Sequence, residues 1–329
     1  MLLAAGAEVI VVGPEVSTTL ADLAARNRVP VHARQLRADD LVGVVLVVPA
    51  SGDVAADQQA LQLARARGVL ATLPRTADRP VGGPDPRPGT GEVILVGGGP
   101  GDLSLLTLGG LDALRRADVI VTDRLAPLAA LDQARSDAVI IDVAKIPRGA
   151  YTSQQQINSI LVEHARSGRT VVRLKGGDSF VFGRGGEEWQ ACAAAGIPVT
   201  VLPGVSSATA APALAGIPLT HRDLTQGFTV VSGHAPPGDP GCTLDWTALA
   251  RANTTLVILM GVATMPAITA ELLRQGLPGA TPALTVADAG LPGQFTVRGT
   301  LADIAARSHA EGIKPPAVTV VGAVAGFRP

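Results

Sequence analysis

The run Glu92-Val-Ile-Leu-Val-Gly-Gly-Gly-Pro-Gly-Asp102 decides the fold. Its first five residues have the apolar, β-branched character of a strand buried on both faces of a parallel sheet, and glycines end it where a helix can begin. A helix is predicted from Asp102 to Ala117 and a strand over Val119–Thr122. Counted as a dinucleotide fingerprint from Gly97, the run puts Asp102 where the third glycine belongs. Pro100 also lacks the backbone N–H that a pyrophosphate would use. The turn suits close approach of a neutral or cationic group better than a phosphate. Taken alone, it fits a plain strand-to-helix connection equally well.

Working outward, the alternation continues. Helices are predicted over Ser153–Arg166 and Glu187–Ala195 and at 264–275 and 300–309. Strands are predicted at 170–174, 198–202, 228–232, 255–260, 283–286 and 317–321. The fold class is α/β, with two successive α/β subdomains (92–223 and 224–326) and the active site in the cleft between them. Upstream, PRTADRPVGGPDPRPGTG (74–91) loses all hydrophobic periodicity, and residues 76–91 read as a linker. Residues 1–75 hold apolar strands within 8–13 and 41–48 and helices near 18–27 and 55–67. That is a Rossmann-like fragment of about half the length a dinucleotide-binding domain needs.

Composition excludes several classes. Lys+Arg 27 against Asp+Glu 28 gives no global pull toward nucleic acid or acidic membranes. Five Phe, two Trp and one Tyr in 329 residues are too few for a base-stacking platform. The uncharged stretch from Trp189 to Thr220 is long enough to span a bilayer, but Pro198, Pro203, Pro212 and Pro218 cut it into short pieces. Cys192 and Cys242 fit no metal spacing and read as thiols in a reducing cytosol, with a disulfide between them as the alternative, so no metal and a cytoplasmic location are expected.

A second glycine turn, RLKGGDSFVFGRGGEE (173–188), gathers Arg173, Lys175 and Arg184 at the carboxyl end of a strand, where open α/β sheets place ligands. With Leu219-Thr-His-Arg-Asp223, these cations point to a small polyanionic substrate.

VGGGPGD (96–102), LLTLGGLDALRRADVIVTDRL (105–125), RLKGGDSFVFGRGGEE, PGVSSATAAPALAGIPLTHRD (203–223), VSGH (231–234) and Met260-Gly261 together closely resemble the uroporphyrinogen-III C-methyltransferases of the tetrapyrrole-methylase family. The resemblance covers residues 92 to about 325. It implies transfer of two methyl groups from S-adenosylmethionine to uroporphyrinogen III, giving precorrin-2 for sirohaem or cobalamin, in a homodimer. An octa-acidic substrate and a sulfonium cofactor agree with the basic clusters and glycine turns.

Carried over residue by residue, the resemblance puts Pro100, Gly176, Gly177, Asp178, Val181, Ser206, Ser207, Met260 and Ala289 at cofactor-contacting positions. Asp123 matches the family's proton acceptor and Lys145 its donor, while Arg124, Arg184, Glu187 and Arg222 fall where the family meets the tetrapyrrole. Outside the motif context, Asp123 would read as a helix cap, Lys145 as a solvated loop lysine and Met260 as core. Thr122 stands where an aromatic is usual, Ser179 where Pro is usual, and Ala289 where a glycine is usual, with Gly290 next to it.

Residues 2–16 and 41–69 resemble the middle of the NAD-binding precorrin-2 dehydrogenase/ferrochelatase module of sirohaem synthases. The preceding glycine-rich turn, the dimerisation segment and the catalytic aspartate (here Leu70-Ala-Thr-Leu-Pro-Arg75) are missing from the pattern. The expectation is a non-catalytic fragment, or a start codon placed too late, and no NAD. The alternatives are a multifunctional sirohaem synthase, a methylase of another corrinoid precursor, and a non-catalytic tetrapyrrole-binding protein.

Overall fold

Short apolar runs become strands because successive side chains enter opposite layers. In the computed structural model the described residues are 8–14, 16, 24–25, 29–51, 53–71, 91–143 and 152–328. The chain divides into two units, Met1–Arg79 and Pro80–Pro329.

In the first unit β1 (Val11–Val12) pairs in parallel with β2 (Val31–His32), and β3 (Leu46–Val47) with β4 (Leu70–Ala71). Helix α1 (Val54–Ala66) starts at Asp53, whose carboxylate accepts from the N–H groups of Ala55 and Ala56. The apolar strands expected within 8–13 and 41–48 are corrected here: each is two residues long, and Val42, Val45, Leu46 and Leu70 are exposed. Among the described residues each sheet is a single strand pair, too small to be covered on both faces. Most of the helix predicted near 18–27 lies outside the described residues.

The second unit begins with the deciding strand, β5 (Glu92–Gly97). It belongs to an all-parallel sheet with β6 (Val119–Thr122), β7 (Val139–Asp142), β8 (Thr170–Lys175) and β9 (Val199–Leu202), in the order β7-β6-β8-β5-β9. Val93, Leu95, Val121 and Val171 pack on α3 (Gln154–Arg166) and α4 (Gly185–Ala194), through Leu161 and Cys192. Ile94, Val96, Ile120 and Leu174 pack on the other side against α2 (Leu108–Arg116), through Ala113 and Leu114. The helix predicted from Asp102 is broken instead: a 3-10 turn covers Leu103–Leu105, and Thr107 caps a fresh start by accepting from Gly110 N–H.

Between the sheets, α5 (Ser207–Leu214) lays Ala208 and Ala211 on the core of the second sheet. That sheet contains β10 (Phe228–Ser232), β11 (Thr255–Leu259), β12 (Pro282–Ala287), β13 (Phe295–Thr300) and β14 (Ala317–Val321), ordered β10-β11-β14-β12-β13. The β10–β11 pair is parallel and the other neighbours are antiparallel. Helices α6 (Trp246–Arg251), α7 (Met265–Arg274) and α8 (Ile304–Ala310) cover one face through Trp246, Ile268, Leu272 and Ile304. The helix predicted at 300–309 starts later, because β13 extends to Thr300 in register with β12. Arg298 hid that strand; its guanidinium donates to the carbonyls of Ala325 and Ala215. The uncharged stretch 189–220 is divided among α4, β9 and α5, and among the described residues no helix is long and apolar enough to cross a membrane.

Candidate active site

Because β8, β5 and β9 are adjacent and parallel, the loops after them leave from one sheet edge. Gly99 N–H donates to Gly177 O at 3.1 Å, and Gly177 N–H returns the bond to Gly99 O at 2.6 Å. A Cβ on Gly204 would lie 2.2 Å from Gly177 O and 2.5 Å from the Gly97 carbonyl carbon. One on Gly176 would lie 2.2 Å from Leu125 O. These backbones approach too closely for any side chain, which is why the turns are glycine. Asp178 ties two loops together: Oδ1 accepts from Phe180 N–H at 2.8 Å and Oδ2 from Gly204 N–H at 2.9 Å.

Ser206 caps α5 by accepting from Ala208 N–H, and a Cβ on Gly177 would lie 3.7 Å from Ser207 N. Gly290, at φ +78°, closes the rim; a Cβ there would meet Pro100 Cγ at 3.3 Å. Pro100, Gly176, Gly177, Asp178, Ser206 and Ser207 are thus brought together. The cradle is backbone and small side chains with one carboxylate and no cation of its own, and it fits a cationic sulfonium cofactor better than a phosphate. Val181 and Met260 present exposed side chains from the loop after β8 and the end of β11, Met260 at φ +57°. Ala289 packs on the second sheet's core. Val181 joins the cradle through its backbone, its N–H donating to Asp178 O at 3.3 Å.

Asp123 follows β6 and is reached through Leu125, whose carbonyl lies under Gly176. Its Oδ1 accepts from Leu125 N–H at 3.1 Å, and its Oδ2 from Arg173 Nη2 at 2.8 Å. Arg173 and Lys175 were read from sequence as cations for a polyanion, and the structure corrects this: they are 3% and 5% exposed. Both are held by Glu188, which is fully buried: Arg173 Nε and Lys175 Nζ each lie 3.0 Å from Oε1. Burial, then repulsion from Arg173, lowers the Lys175 ammonium from the usual lysine range. Two cations and two carboxylates balance, leaving no excess charge for a substrate. Sequence reasoning missed Glu188; the signal was its phase with Cys192, one helical turn along the same buried face of α4.

Arg124 and Arg222 are exposed and have no partner among the described residues. Arg184 and Glu187 clasp each other at 2.8 and 2.7 Å, and the guanidinium pulls the Glu187 carboxyl below its usual range. Lys145 lies outside the described residues. The departures at Thr122 and Ser179 have a physical trace, since these two hydroxyls are buried without a hydrogen-bond partner among the described residues. Burial pushes the Cys192 thiol up to about 11, so it is no nucleophile. Among the described residues no group of three or more His, Cys, Asp or Glu could hold a metal ion.

Residues 92–305 match the family of Tetrapyrrole (Corrin/Porphyrin) Methylases, and residues 1–81 match a putative NAD(P)-binding family. The second match removes support from the expectation that NAD is not bound. A siroheme synthase of Zymomonas mobilis is 45% identical over 241 residues, covering 73% of this chain and 50% of that protein. The chain thus spans about half the length of the curated relatives it matches. The crystal structure of uroporphyrin-III C-methyltransferase from Thermus thermophilus, complexed with S-adenyl homocysteine, is 41% identical with a TM-score of 0.60, covering 71% of this chain and 98% of that one. A cobalt precorrin-4 methyltransferase is 25% identical with a TM-score of 0.66, covering 74% and 99%. The chain belongs to the tetrapyrrole (corrin/porphyrin) methylase family.

Proposed function

We propose that the chain transfers two methyl groups from S-adenosylmethionine to ring carbons of uroporphyrinogen III, giving precorrin-2. The observation that carries this reading is the glycine-floored cradle on β5, β8 and β9, with the Asp123 carboxylate oriented one strand away. Pro100, Gly176, Gly177, Asp178, Ser206 and Ser207 hold the cofactor, with Val181, Met260 and Ala289 at its margins. When bound, the cofactor supplies an electrophilic methyl group on a sulfonium centre. Asp123 accepts, on a carboxylate oxygen, the proton that leaves the ring system once the carbon is methylated, and Lys145 is its donor counterpart. Arg124, Arg184, Glu187 and Arg222 hold the substrate's carboxylates and their rim. Positioning supplies most of the rate in such a displacement. We take the working form to be a cytoplasmic homodimer.

The match of residues 1–81 to an NAD(P)-binding family supports a second reading, a siroheme synthase that also oxidises precorrin-2 and inserts iron. Two titrations of the full chain separate the proposals. S-adenosylhomocysteine should bind with one site per chain, and absence of binding would contradict the methylase reading. NAD binding by calorimetry would favour the second activity, and no binding would favour a non-catalytic N-terminal unit. Methylation of a cobalt-bearing corrinoid in preference to uroporphyrinogen III would favour the corrinoid alternative.

A further inference from the structure

Arg173 is placed from three sides before it reaches Asp123. Its Nε donates to Glu188 Oε1 at 3.0 Å, and its Nη1 to the carbonyls of Leu174 at 3.0 Å and Val121 at 3.3 Å. Glu188 is itself fixed, since Lys175 Nζ lies 3.0 and 3.1 Å from its two oxygens and Gln154 Nε2 donates to Oε1 at 3.3 Å. A planar guanidinium held at those points has one orientation, and its Nη2 is then aimed at Asp123 Oδ2. Within this cluster the reach to solvent lies at Asp123, whose side chain is 26% exposed against 0% for Glu188 and 3% for Arg173.

We propose that Arg173, oriented by Glu188, is a positioning residue that presents the Asp123 carboxylate to the substrate in one rotamer. The role rests on the reading of Asp123 as proton acceptor. Glu188 and Asp123 are the counter-charges that let a guanidinium be buried there at all. A lysine at position 173 keeps the charge but offers one point donor, which cannot hold both carboxylates and the two carbonyls.

The test compares the full wild-type chain with Glu188→Gln, Arg173→Lys, Asp123→Asn and the two doubles that combine Asp123→Asn with each. The readouts are anaerobic turnover of uroporphyrinogen III and calorimetric binding of S-adenosylhomocysteine. Each of the Glu188→Gln and Arg173→Lys variants should lower kcat about 10- to 100-fold. KM and cofactor-product affinity should stay within about threefold, and neither change should add to the loss already present in Asp123→Asn. Unchanged kcat in both single variants would overturn the role, as would losses that multiply in the doubles. A raised KM with kcat intact would return Arg173 to the substrate. If Glu188→Gln fails to fold, Arg173→Lys and its double decide alone. An inactive wild-type chain would overturn the functional reading itself, an outcome distinct from active wild type with unaffected variants.

Discussion

Thr122 and Ser179 each bury a hydroxyl that finds no partner among the described residues, and both sit beside residues of the site. An unmet buried hydroxyl costs more than an apolar group of the same shape. Thr122→Val should therefore stabilise the protein by about 1 kcal/mol, raising Tm by about 2–4 °C in a scanning calorimeter. A lower Tm would mean that the hydroxyl is satisfied. Arg184 belongs to the same scale but to function. Removing it by Arg184→Ala should raise KM for the tetrapyrrole about tenfold, the worth of a charge-assisted contact. S-adenosylhomocysteine affinity should stay within about twofold, and equal loss of both would contradict the substrate role. Motifs gave single residues a place in the sequence, and the structure sets Gly176 and Asp178 in the glycine turns of the cradle. It misjudged Arg173 and Lys175, because charge alone does not show whether a cation faces a ligand or a buried carboxylate.

At the scale of elements, the parallel strands β5, β6, β8 and β9 were legible as apolar β-branched runs, and β5 and β8 most so because they run into glycines. The edge strand β7 was not, since Val139 and Ile140 are exposed and nothing in their period marks pairing. Strand β13 was masked by Arg298-Gly299, and its loss displaced the predicted start of α8. The turn between them is set by Asp303, whose Oδ1 accepts from Thr300 N–H at 2.7 Å while Oδ2 accepts from Arg307 Nε. The Thr300 bond first, then Arg307, lowers the Asp303 carboxyl below its usual range. A lowered folded-state value means stability that is full above the ordinary carboxylate range and lost as pH falls through that lowered value. Asp303→Ala should thus lose about 1 kcal/mol at neutral pH. The gap in Tm from wild type should close progressively below about pH 4, and a pH-independent gap would contradict the linkage.

Across the whole molecule, the near-zero net charge says nothing about the site. The balance is struck locally, with Arg173 and Lys175 neutralised inside the sheet layer and Arg124 and Arg222 left at the surface. The second sheet reaches the cradle through the loop after β12, where Gly101 packs against Leu291 and Gly290 against Pro100. A site built from loops of two sheets was foreseen as a cleft, but the partners across it were not. Those contacts join residues about 190 positions apart, and no local pattern encodes them. The most direct test of the account is anaerobic incubation of the full chain with uroporphyrinogen III and S-adenosylmethionine, read by mass spectrometry. The account predicts a product heavier by two CH2 units, since each methyl gained is matched by a proton lost, and two equivalents of S-adenosylhomocysteine. Folded protein that binds S-adenosylhomocysteine yet leaves uroporphyrinogen III unmethylated would contradict it.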